Sequence, residues 1–473
     1  MLLASVLAAS AAEWPLAIFR GDWPDPTILR DGEDFYMTHT PFDYAPAFEI
    51  WHSHDLVNWT SLGAAKTGSV DAWAPDLVKA NGKYYIYYPS KGKTNVIWAD
   101  DVRGPWSEPV TLDIEGIDPG HVQLADGSRW LFTSGIRVAR LSDDGLSIVG
   151  ETKFVWGGWQ YPEDWLLEGF YLESPKAFRH GDYIYLTCAQ GGTAGPPTSH
   201  MAVVARAKHP LGTWETSPHN PLVHTYSVDE PWWSQGHATV FDDAKGGLWM
   251  VYHAYPKGFH TLGRYTLLQP LAWTEDGWFK ISETSSLAQS RRGAEASASS
   301  APLRETKLWR FWRSETQSAV TNEPDGAIRV AGHGWWAGHW NTLLATARDE
   351  SYEVEAEIET GDGNAAGLML FYNADAYAGL LATEKGELEI YGGAKNKAVR
   401  ANTFGRKFTA RLVNDRNKLS VYVNGYCLAR GIDVSHLNHN NYGGFLALRP
   451  ALVSAHGGES VFRKFTYRPL EVK

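Results

Sequence analysis

Cysteine is scarce in this 473-residue chain: only Cys188 and Cys427 occur, one in each half. No Cys-x-x-Cys pair or Cys/His ligand spacing accompanies them, which excludes a disulfide scaffold and a zinc module. Both thiols are expected to be small buried residues. Positive charge is also short, with 43 Lys and Arg against 54 Asp and Glu and a net charge of −11. That balance offers no footprint for nucleic acid or an anionic membrane. No apolar stretch is long enough to span a bilayer. The apolar start, Met1 to Ala12, ends in the small-residue run AASAA and fits a signal peptide, although no Lys or Arg precedes it. Export to the periplasm or the exterior is expected. Amphipathic helices of convincing length are missing too, which argues against an α/β fold.

Aromatic residues are plentiful: 22 Trp, 22 Tyr and 18 Phe. Flat rings stack on sugar faces, but all-β proteins also use them as sheet filler, so the count alone decides nothing. A repeat is more telling. Five segments share one plan, an acidic or small residue, usually a Pro, apolar alternation, a Gly turn and an aromatic strand. They read WPDPTILRDGEDFYM, APDLVKANGKYYIYY, DPGHVQLADGSRWLF, ESPKAFRHGDYIYL and GHATVFDDAKGGLWMVY. Turns of the DG, NG, HG and GG kind are hairpin signals. A second strand pair follows each hairpin, giving four strands every 45–60 residues or so, the mark of a propeller blade.

The predicted architecture is therefore all-β, a five-bladed β-propeller over residues 13–281. Residues 282–303, rich in Ser and Ala, read as a linker. Residues 304–473 carry alternating strands such as YEVEAEIE, where Tyr352, Val354, Ala356 and Ile358 share a face. That pattern predicts an antiparallel β-sandwich.

In a propeller the innermost strands line a central channel, so the starts of the repeats converge. Those starts supply Asp25, Asp76, Asp118, Glu173 and His237. Gathering carboxylates costs free energy and does nothing for packing, so such a cluster points to catalysis or to a bound cation. Two carboxylates suffice to hydrolyse a glycosidic bond, one as acid and one as base or nucleophile. A third beside the acid would keep it protonated. Placement on different blades suits the wide separation of an inverting enzyme.

The blade starts WPDP, WAPDL, IDPGHV, LESPK and GHATV, together with GRYTLLQPLAWTEDGW, resemble glycoside hydrolase family 43 over about residues 20–280. The resemblance implies Asp25 as general base, Asp118 as modulator of the acid's pKa and Glu173 as general acid. It implies His237 as an axial histidine that holds calcium through water, and Arg264 as a basic residue of the pocket floor. No other cofactor is implied. The Glu-Ser-Pro at 173 departs from the family's usual Glu-Gly-Pro, and Glu168, within an Glu-Gly pair, is the alternative acid. The tail, with AGLMLFYNADAY, is similar to the concanavalin-A-like sandwich that follows the propeller in family β-xylosidases and α-L-arabinofuranosidases. This implies inverting exo hydrolysis of terminal α-L-arabinofuranosyl or β-D-xylosyl units of plant polysaccharides or oligosaccharides. Two other readings are a fructan- or sucrose-acting propeller hydrolase, which would carry Asn-Asp-Pro-Asn-Gly at the first Asp, and a glycan-binding propeller without catalysis.

Trp73, just before the second start, is a candidate sugar-stacking residue, and Asp76 a candidate for binding sugar hydroxyls. The runs Gly157–Trp165 and Gly191–His200, the second rich in Gly and Pro, are candidate pocket loops. In the tail, GHGWWAGHWN is expected to pack in the core.

Overall fold

The computed structural model describes residues 14–68, 71–243, 245–282, 309–312 and 314–471. The expected signal peptide (1–12) and almost all of the expected linker (282–303) lie outside them.

Five antiparallel sheets of four or five strands form the propeller. Their innermost strands are Thr27–Asp31, Asp76–Ala80, Gly120–Gln123, Leu172–His180 and Trp232–Asp242. Each is joined to its neighbour by a glycine-bearing turn, at Gly32, Gly82, Gly127, Gly181 and Gly246, all at positive φ. Only glycine takes that conformation without strain, so these turns fix where each hairpin reverses. The ring is closed by the N-terminal segment, because Leu16–Phe19 pairs with Tyr265–Trp273 in the fifth blade. Both ends of the propeller chain are thereby held in one sheet.

Every inner strand carries a left-handed corner, two residues before it in the first three blades and within it in the last two: Asp25, Ala74, Asp118, Ser174 and His237 have φ between 40° and 55°. Pro26, Pro75, Pro119 and Pro175 follow the first four, and Ala238 the fifth. These corners set the true register of the repeat. Asp25, Asp118 and His237 are equivalent, whereas Glu173 stands one residue before its corner and Asp76 two residues after. Counting back from the turn glycine misses this, because seven to nine residues separate corner and glycine.

The remaining strands build two further sheets. In Ser351–Thr360, buried and half-exposed residues alternate, with Tyr352, Val354, Ala356 and Ile358 inside. On the other face Glu353 pairs with Arg411 and Arg468, and Glu357 with Lys464. The second sheet recruits the propeller itself: Tyr44–Ala45, from a loop of the first blade, pairs with Arg310–Trp312. One apolar cluster runs without a break from the fifth blade into this region. Polar ties reinforce the junction, among them Arg449 Nη2 to Asp22 Oδ2 (3.2 Å) and Thr261 Oγ1 to Asn417 Oδ1 (2.7 Å).

Two expectations are corrected here. Cys188 is buried, but Cys427 is exposed, on the edge strand Tyr426–Asp433, whose one side has no sheet partner among the described residues. Of the three indoles in GHGWWAGHWN, Trp340 enters the core, 4% exposed, while Trp335 and Trp336 stay 74% and 50% exposed. The loop there turns sharply at Gly334, φ 71°, so successive indoles cannot all face inward.

Candidate active site

The five corners leave a cluster of charged and polar side chains at one end of the channel. Asp25 lies at its centre. Its Oδ2 accepts from Thr40 Oγ1 (2.6 Å), and its Oδ1 from Arg264 Nη1 (3.0 Å). The Nδ1 atoms of His253 (3.0 Å) and His237 (3.3 Å) flank the same oxygen. The Asp25 amide also donates to His253 Nδ1 (3.2 Å) in the tautomer that leaves this nitrogen unprotonated. Burial alone would push the Asp25 pKa up. The Arg264 guanidinium, with lesser help from His237 and His253, outweighs it and holds the carboxyl well below the usual range. Arginine is the counter-charge that matters, since burial keeps both imidazoles neutral at pH 7.

Glu173 and Asp118 shift the other way. Burial first, then the charge of Asp25, raises Glu173 to about 7 despite Arg264. Burial first, then Glu173 and Asp25, raises Asp118 well above the usual carboxylate range. Two buried acids that repel each other share protons and titrate as a pair. Glu168 is exposed and its Oε2 accepts from the Ala194 amide (2.8 Å).

Asp76 sits deeper, as its register demands. Its Oδ1 meets Lys176 Nζ (3.1 Å) and its Oδ2 accepts from the His121 amide (2.7 Å). Lys176 Nζ donates also to Pro75 O (2.7 Å) and Pro119 O (3.0 Å), so all three ammonium protons are used. This buried pair ties three blades together below the cluster. Both Asp76 oxygens are engaged within the protein, which gives the residue a structural setting and not an open one. Gly120 belongs to the same floor, because a Cβ there would lie 1.5 Å from Pro175 O.

Several residues beyond the sequence candidates complete the cluster. Thr40 and His253 come from loops and second strands, where no repeat marks them. His200 ends the flagged Gly191–His200 loop; it is buried, stacks on His253 (5.3 Å, 8°), and neither ring nitrogen has a partner among the described residues. Gly236 makes room for it, since a Cβ would lie 2.0 Å from the ring. Arg264 Nε is likewise buried and unpartnered, a donor free for a ligand. The tail contributes Phe445, whose ring lies 5.3 Å from the Arg264 guanidinium, and His439, whose Nδ1 is 3.3 Å from Tyr255 Oη. Trp73 is half-buried just before the Ala74 corner.

The calcium implied near His237 can be tested against these donors. One carboxylate oxygen and two imidazole nitrogens converge within 4.8 Å. Calcium takes six to eight oxygens, and the Asp25 oxygens already face Arg264 and Thr40. The residues do not fit a calcium held directly by the protein. His237 Nε2, buried without a partner among the described residues, is the atom to which a water would attach.

Comparison with known proteins places this cluster in context. A non-reducing end α-L-arabinofuranosidase of Bacteroides ovatus is 30% identical over 289 residues, 56% of this chain and 52% of that protein. A β-xylosidase of Bacillus subtilis is 26% identical over 438 residues, 78% of this chain and 79% of its own. The chain thus spans about half the length of the first relative and four-fifths of the second. The solved structure of the BlXynB protein from Bacillus licheniformis superposes with a TM-score of 0.82 at 23% identity, over 97% of this chain and 100% of that one, which shows a shared fold from the propeller through the sandwich. The sequence pattern of glycosyl hydrolases family 43 matches residues 16–279, more than half of the chain, and the protein therefore belongs to glycosyl hydrolase family 43.

Proposed function

We propose that the protein is an inverting, exo-acting glycoside hydrolase that removes terminal α-L-arabinofuranosyl or β-D-xylosyl units from plant polysaccharides or oligosaccharides. The observation that carries this reading is a pair of carboxyl groups in one buried cluster with opposite electrostatics. Asp25 is held ionised by Arg264, and Glu173 is held protonated near neutrality by burial and by Asp25. Environments that drive two titratable groups apart assign the base and the acid.

In this mechanism Asp25, fixed by Thr40 and Arg264, accepts a proton from water as the water attacks the anomeric carbon. Glu173 donates its proton to the departing glycosidic oxygen. Asp118, raised by burial and by Glu173, competes with Glu173 for protons, and the two acids titrate as a pair. Arg264 Nε and His200, polar and unpartnered, are suited to sugar hydroxyls. Trp73 offers a stacking face. Phe445 and His439 crowd the fifth-blade side of the cluster, in keeping with a pocket that takes a chain end; the non-reducing-end action named for the Bacteroides relative supports the same reading. A polysaccharide substrate lies outside the cell, which favours export.

Proton NMR of early product is the deciding experiment. Release of the anomer opposite to that of the substrate is expected, and retention overturns the inverting assignment. Parallel assays with aryl β-D-xyloside and aryl α-L-arabinofuranoside identify the preferred unit, and turnover of neither removes the pentosidase reading.

A further inference from the structure

The exposed indoles of the sandwich are unexplained by the catalytic cluster. Residues 332–340 join strand Ile328–Ala331 to Asn341–Leu344, and the loop is pinned at several points. His333 Nδ1 lies 2.8 Å from the His339 carbonyl, Trp336 Nε1 donates to His339 Nδ1 (3.2 Å), and the His456 amide donates to Gly334 O (2.8 Å). Two glycines make room in the loop. A Cβ on Gly334, at φ 71°, would lie 2.3 Å from His339 Cβ, and one on Gly338 would lie 2.2 Å from the Trp336 ring.

Trp335 rests on the imidazole of His456, with ring centres 4.2 Å apart and planes 22° from parallel. His456 is itself held in the left-handed region at φ 65°, unusual for a residue with a side chain. Its Nδ1 is 2.6 Å from Glu384 Oε2. A strained, hydrogen-bonded histidine thus serves as a backing plate for an indole that is 74% exposed. Backbone strain kept in this way points to function.

The size and chemistry of the patch select its ligand. Two indoles bury at most about 500 Å² together, short of the roughly 800 Å² per partner of a stable protein interface. Among the described residues, the other large exposed apolar side chains of the sandwich, Val399 and Tyr426, belong to other strands. A net charge of −11 disfavours nucleic acid, the other common ligand of stacking platforms. A sugar ring fits: its C–H face matches the electron-rich indole face, and its hydroxyls match the Glu384 and His333 rim. The patch is also remote from the pocket. His456 ends the strand Arg449–His456, whose first residue bonds Asp22, seven steps or about 23 Å away.

We propose that Trp335 and Trp336, backed by His456 and Glu384, form a second carbohydrate-binding site that holds the polysaccharide whose ends the pocket removes. The choice of ligand rests on the pentosidase reading; the site itself does not. Binding of the full chain to insoluble arabinoxylan is measured by depletion, alongside turnover of aryl pentosides and melting temperature. Trp335→Ala and Trp336→Ala are expected to weaken polysaccharide binding at least about tenfold, with aryl pentoside kcat/KM within about twofold of wild type. Trp335→Tyr, which keeps a stacking face, is expected to retain most of the binding. Wild-type binding by Trp335→Ala overturns the proposal, as does absence of binding by the wild-type protein. A change of oligomeric mass in Trp335→Ala without a change in binding overturns it in favour of self-association. Trp335-dependent binding by a protein that turns over no pentoside sustains the site and rejects the activity.

Discussion

The propeller axis and the sandwich core spend buried volume differently. In the sandwich, Tyr352, Val354, Ala356 and Ile358 face inward, and Glu353, Glu357 and Glu359 lie on the other face, where they pair with surface cations. The polar side chains it does bury, such as Asn364 and Ser454, are uncharged and donate to neighbouring oxygens. At the axis the chain buries Asp25, Asp118, Arg264, Lys176 and several histidines, half-buries Glu173, and turns five inner strands through left-handed corners. Each such corner on a non-glycine residue is strained by about 1–3 kcal/mol. The sandwich is built for stability, while the axis holds groups whose value lies in being displaced from their relaxed state.

The comparison breaks most visibly at the carboxylates. Asp25→Ala and Glu173→Ala should each lose at least about two orders of magnitude in kcat on aryl pentosides. Ile358→Ala should lower the unfolding free energy by about 2–5 kcal/mol while turnover per folded molecule is kept; activity loss in Ile358→Ala equal to that of the axis variants would erase the distinction. Next comes the floor. Lys176→Met leaves the Asp76 charge buried and unpaired, and a loss of about 3–5 kcal/mol is expected in chemical denaturation. The double change Lys176→Met, Asp76→Leu should recover part of it. Additive losses in the double variant would show that pairing is not what the floor provides.

A pH series sharpens the contrast further. Turnover should fall as pH rises through about 7, where Glu173 gives up its proton. The folded pKa of Glu173 lies above its unfolded value of about 4.5, so folding binds that proton more tightly. The associated stability is complete below about 4.5 and is lost as pH rises through about 7. Glu173→Gln has no charge to bury, and its Tm should exceed that of wild type at pH 8 but not at pH 4. Equal Tm values at pH 8 would count against a buried, raised acid. The smallest effect belongs to the sandwich surface: Glu357→Ala, which removes the Lys464 pair, should leave Tm unchanged by differential scanning calorimetry.

Much of the fold was legible because its signals are local. Turn glycines, hairpin dipeptides and two-residue alternation act over a few positions, and they marked five blades and the face shared by Tyr352 to Ile358. The axial cluster was legible only in outline. Asp25, Asp118 and His237 occupy equivalent corners, but counting from glycines placed Asp76 and Glu173 in the same ring, and only the backbone corners separate them. Thr40, His253 and His200 carried no repeat signature, since second strands and loops bring them in from elsewhere in the chain. The Leu16–Phe19 strand that closes the ring, and the Tyr44–Ala45 strand lent to the sandwich sheet, were hidden for the same reason: each partner is more than 200 residues away.

The amino-acid sequence by itself determined the strand period, the hairpin turns, the fivefold repeat and the presence of acidic residues near the repeat starts, because these depend on neighbours along the chain. Tertiary structure alone decided which carboxyl group is ionised and which keeps its proton, that Lys176 consumes Asp76, and that Trp340 is buried while Trp335 is not. Charge states and exposure depend on groups brought close in space, and a linear order of residues does not contain those distances.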